Sequence, residues 1–138
     1  MNDKQRDMDL RTRYLARLIG IFFLVFTAAF YLHPDYTKLL TDSGTLLVLG
    51  IAWLVAGTAI VLGHNRWRGS ALAVAVTLVA WLMALRGAAI LLASPEVAAS
   101  TLTHMRFAER SNLYFALDLA VGLYFVLAGF LTRTAQAN

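Results

Sequence analysis

Two ionisable side chains, Arg86 and Asp118, stand alone within long stretches that otherwise lack charge. An isolated ion in a membrane helix costs at least about 2.5–3.5 kcal/mol on insertion scales, so such groups face protein and seek partners. At a rise of about 1.5 Å per residue, Arg86 lies about 12 Å inward of Ser94 and Asp118 about 9 Å inward of Asn112. Their depths coincide on consecutive, oppositely directed helices. The sequence therefore predicts a buried charge pair or bidentate hydrogen bond between them. Three readings stay open: a clamp between two helices, the lining of a small recess, or two groups that face apart and snorkel separately. Such a recess would take an anionic headgroup, a quinone-like ligand, a proton or a docking partner.

Other residues with chemical potential form weaker constellations. His33 and His104, the latter beside Met105, fall toward the same outer surface, while His64 falls on the opposite side. The spacings HExxH and CxxCH and a paired-histidine helix face do not occur, so no metal, haem or other cofactor is assigned. His33 and His104 are read as interfacial polar residues, with a ligand or interface role as the alternative. There are no cysteines, which excludes disulfides and thiolate chemistry. Without a Ser-His-Asp order or a phosphate-cradling glycine loop, no catalytic residue is assigned and an enzymatic role is disfavoured. Trp53 and Trp81 fall near the middle of their spans, where their bulk suits packing between helices and their N–H groups need acceptors. Thr58, Thr77 and backbone carbonyls are the candidate acceptors, and a midplane ligand pocket is the sharper alternative. Gly50, Ala56 and Gly57 give the second span a stripe of small residues that admits another helix closely.

The elements that carry these residues follow from how charge is spread. Of 138 residues, 59% are hydrophobic and 14% charged, against about 25% charged in soluble domains. No charge falls between Leu18 and Pro34 or between Ser43 and Asn65; Gly69–Pro95 holds only Arg86, and Ser111–Thr132 only Asp118. Crossing a bilayer core takes about 20 mostly apolar residues. The pattern predicts an all-α, polytopic membrane protein: a single four-helix domain over residues 1–138, with spans at about 14–32, 44–63, 70–93 and 112–131. A soluble bundle is excluded because 45–62 and 72–85 lack a polar face wide enough for water. The first span is read as uncleaved, since no small-x-small signal follows it.

Gly63-His64-Asn65-Arg66-Trp67-Arg68-Gly69 is a tight turn that makes the second and third spans an antiparallel hairpin. Short surface helices are predicted at 34–40 and 95–109, the second opened by Ser94 as cap and Pro95 in its first turn. With the amino terminus inside, Lys4, Arg6, Arg11, Arg13, Arg17, Arg66, Arg68 and Arg133 fall on the cytoplasmic side, against Lys38, Arg106 and Arg110 outside. That asymmetry predicts both termini in the cytoplasm of a bacterial inner membrane. It also accounts for the net charge of +4 without a nucleic-acid partner.

An arginine-led first span (Arg13, Arg17), a second span ending in Leu62-Gly63, and Leu85-Arg86-Gly87 late in the third resemble the small four-span inner-membrane families of bacteria, the DoxX-like group among them. That resemblance implies an accessory subunit of a membrane oxidoreductase, or a partner of other envelope proteins. The expectation is an accessory, assembly or scaffold subunit whose partners are the lipid bilayer and other membrane proteins or further copies of itself. One alternative is a small transporter using Arg86 and Asp118. The other is an electron-transfer subunit or an enzyme subunit with a lipid-soluble substrate.

Overall fold

The computed structural model describes residues 3–33, 42–94, 97 and 107–131, with side chains from residue 6 onward and, in the last helix, from residue 112. The described chain contains four long α-helices and no strand: α1, Asp3–Leu32; α2, Ser43–Gly63; α3, Ala71–Leu92; and α4, Phe107–Leu131. Each contains a window long and apolar enough to cross a membrane. The chain is a lipid-embedded, multi-pass four-helix bundle. The predicted surface helix at 34–40 and His104 lie outside the described residues. Of the second surface helix, Val97 is helical, its N–H directed to Ser94 Oγ at 3.4 Å. Residues 107–109, expected in that surface helix, instead open α4.

Local chemistry sets the helix ends. The Asp42 carboxylate caps α2, accepting from Thr45 N–H at 2.7 Å and from the Thr45 hydroxyl at 2.8 Å. Those two bonds hold its pKa below the ordinary value. Ser70 caps α3 through Ala73 N–H at 3.2 Å. The turn between α2 and α3 needs Gly69 at φ +117, a conformation that favours glycine. Thr77 pins that turn from below: its fully buried hydroxyl oxygen accepts from Arg66 N–H at 2.9 Å and donates to Ala73 O at 3.0 Å.

The helices pack as two close pairs, α2 with α3 and α1 with α4, joined mainly where α1 meets α3. Glycine explains both pairs. Gly87 of α3 lies against the backbone of Leu54 and 2.7 Å, measured from the place a Cβ would take, from Gly50 O. Gly57 of α2 lies equally close to Ala84 and, at 2.8 Å, to Ala80 O. Gly20 of α1 meets Val126 and Gly122 of α4, and Gly129 receives Arg17. Where no Cβ intervenes, backbones approach closely and dispersion replaces the hydrophobic force that lipid cannot supply. Gly50 and Gly57 therefore pack helices, as expected, with Ala56 half-buried beside them. The stripe is spent inside the hairpin and is not a free docking face.

Between the pairs lies a core of Ala16, Ile19, Phe23, Trp53, Val76 and Phe125. Only 17% to 33% of each apolar window is buried within the chain, so most of every span faces lipid or another protein.

Candidate functional site

Three places hold polar groups that the membrane makes expensive: the middle of the bundle with the half beyond it, away from the α2–α3 turn; the α1–α4 seam; and the corner where α1 crosses the α2–α3 turn. At mid-span, Trp53 is 4% exposed and sits against Phe22, Phe23 and Phe26 of α1, ring centroids 5.6, 6.1 and 5.8 Å away. All three contacts are edge-on, the arrangement the ring quadrupole favours. Trp53 packs between helices, but its indole N–H has no hydrogen-bond partner. Trp81 departs from expectation. It is 38% exposed and lies on the outer surface of α3, not between helices.

Arg86 and Asp118 do not form the close pair predicted from their depths. Among the described residues no ion pair joins them within 4.0 Å. Arg86 is exposed on α3 and places its guanidinium 5.2 Å from the Trp53 ring centroid, a cation–π distance. Asp118 is half-buried on α4 and feels the Arg86 charge across that gap. The physical reason is lateral: α3 packs chiefly on α2, and α4 on α1, so equal depth does not bring the two side chains together. His33 is exposed at the end of α1.

Along the α1–α4 seam, Arg17 donates from Nε to Gly129 O at 2.8 Å and its guanidinium lies 4.3 Å from the Phe130 ring centroid. In the sequence Arg17 stands only as one of the basic residues at the start of the first span. Its actual partner is a carbonyl opened by a glycine; Gly122 and Gly129, seven residues apart on one face of α4, mark a close-packing face without naming what packs there.

At the third place, α1 continues beyond the bilayer core. Thirty residues make about 45 Å of helix against a core of about 30 Å. The projecting end crosses the α2–α3 turn, where Asp9 approaches Arg66 at 3.7 Å. Two adjoining hollows share Arg11 and Gly63 there. One is an apolar groove of ≈ 510 Å³ walled by Leu10 and Leu15 of α1 and by Ala59 and Ile60 of α2. The other, ≈ 380 Å³, is the more polar of the two and is lined by Asp7, Met8, Arg11, His64, Asn65 and Arg66. His64 is 5% exposed. Its imidazole gives a hydrogen bond to the Ala73 carbonyl, while Nε2 has no partner. Burial first, and the nearby Arg66 charge second, lower its pKa and keep the ring neutral. Arg66 Nη1 is also buried without a hydrogen bond. In the sequence His64 stands apart from the other histidines, with no motif that assigns it a role.

Among the described residues no group of three or more metal-ligating side chains converges. Comparison with protein-family models, curated proteins and solved structures finds no match.

Proposed function

We propose that this chain is an accessory subunit of a larger assembly in a bacterial inner membrane, with both termini in the cytoplasm. Arg86 carries this reading. It is a cation within an apolar span, exposed on the bundle's outer surface, with no carboxylate at ion-pair distance among the described residues. Left to lipid, such a group is costly; a neighbouring helix that brings an acidic or polar side chain to the same depth offsets that cost. Leu82, one helical turn away, is 65% exposed and extends the same face. The excess of Lys and Arg on the side shared by the α1 start and the α2–α3 turn supports the orientation. The DoxX-like features at Arg13, Arg17 and Leu85-Arg86-Gly87 point to the same kind of role.

A photo-crosslinking residue at position 82, activated in native membranes, tests this directly. The expected product is one discrete protein adduct that disappears when Arg86→Gln is added. Adducts with lipid alone, or only with a second copy of this chain, would overturn the accessory reading.

A further inference from the structure

We propose that the corner between α1 and the α2–α3 turn binds an anionic phospholipid whose headgroup carries a free hydroxyl, as in phosphatidylglycerol. The two adjoining hollows match the two halves of such a molecule. The apolar groove runs about 6 Å, one helical turn, from Gly63 to Ala59 into the bilayer, and takes the upper part of an acyl chain between Leu15 and Ile60. The polar hollow opens from its end, and Arg11 belongs to both. That is where the phosphate of a lipid would sit.

The polar hollow is also chemically incomplete. Arg66 Nη1 is buried with no acceptor, and Asp9, at 3.7 Å, is too distant for a hydrogen bond. A phosphate oxygen supplies that acceptor, and guanidinium–phosphate geometry favours the contact. His64 Nε2 has the opposite need. With the other ring nitrogen donating to Ala73 O, the neutral imidazole presents a lone pair at Nε2. A headgroup hydroxyl donates to it, which phosphatidylcholine has no hydroxyl to do. Asp7 and Asp9 share this corner with Arg11 and Arg66, and the groove beside it distinguishes a lipid from a free phosphate ester. The inference is independent of the contact proposed for Arg86, which lies in the other half of the bundle.

Delipidated protein in a neutral detergent, given phosphatidylglycerol or phosphatidylcholine of identical acyl chains, provides the test, read by native mass spectrometry. Phosphatidylglycerol is expected to be retained roughly three- to tenfold more tightly, the scale of the one neutral hydrogen bond to His64 that phosphatidylcholine cannot make. Arg66→Gln and Arg11→Gln, on separate elements, should each weaken retention of both lipids, and His64→Phe should bring the two near parity. Arg68→Gln, an exposed arginine in the same turn, should leave retention intact. Equal retention of both lipids by the unaltered protein would overturn the proposal. So would an Arg68→Gln loss equal to that of Arg66→Gln, since the effect would then be a diffuse basic surface. Free glycerol phosphate should give no thermal shift at the same concentration; a shift equal to that from the lipid would mean that the groove plays no part, and would also overturn it.

Discussion

Placing a single methyl group at Gly87 should separate α2 from α3. A Cβ there would overlap the Leu54 backbone and stand 2.7 Å from Gly50 O, whereas ordinary contact begins at 3.4 Å. The Leu54 overlap is the closer of the two, and relieving it needs a shift of about 1 Å, a gap that forfeits about half of each dispersion contact along the seam. The opposing atoms belong to a helix backbone and cannot rotate away, so the cost falls at the upper end of overpacking, about 3 kcal/mol. Better helix propensity returns about 1 kcal/mol. The net loss for Gly87→Ala is therefore about 2 kcal/mol, roughly 30-fold in the folding constant. Gly57→Ala meets Ala84 and Ala80 in the same way and should cost a similar amount. The double variant should lose less than the sum, because the first methyl has already moved the helices apart. Gly63→Ala is the control: nothing lies within 4 Å of its Cβ position, and its stability should be unchanged or slightly higher. Equilibrium unfolding in mixed micelles reads all four. If Gly87→Ala proved as harmless as Gly63→Ala, the close approach of α2 and α3 would be refuted.

Three further outcomes follow from the described contacts. Arg17→Gln removes the bond to Gly129 O and the stacking on Phe130; the same unfolding assay should show a loss of about 1.5–3 kcal/mol, and an unchanged midpoint would refute the clasp. Thr77→Val keeps the shape but leaves Arg66 N–H without its acceptor, which should cost about 1–3 kcal/mol and increase proteolysis within the 64–70 turn. For His64, a folded pKa below its ordinary 6.5 means that the unfolded chain binds more protons as pH falls below that value. Stability should hold at neutral pH and decline on acidification through about 6.5 toward the lowered folded value. His64→Gln in lipid-free neutral detergent should remove that part of the decline, and parallel curves for the two proteins would count against it.

The charge-free stretches made the spans legible almost to the residue: 44–63 against Ser43–Gly63, and 70–93 against Ala71–Leu92. Hydropathy reports where lipid begins, but not where a helix stops. For that reason α1 and α4 extend five or more residues into polar sequence beyond the predicted spans. The same limit governs the sites. The depth of Arg86 and Asp118 follows from residue counting and the helical rise. Their lateral placement depends on which helices pair, and glycines decide that. Gly50 and Gly57 are legible because they share one face of a single helix with Ala56 beside them. Gly20, Gly122 and Gly129 lie on two helices separated by most of the sequence, and only folding shows that they meet. The pocket at His64 was unreadable for a related reason, since it is assembled from a helix start and a turn more than fifty residues apart.

The contact from Arg17 to Gly129 spans 112 residues of sequence, and this has a consequence for biogenesis. At about 5–20 residues per second of synthesis, the guanidinium precedes its carbonyl by roughly 6–22 s. During that interval the α2–α3 hairpin, closed by a seven-residue turn, can enter the bilayer and complete itself, while α1 waits with an unshielded cation near the membrane surface. α4, made after the hairpin, is the helix that locks α1 in place.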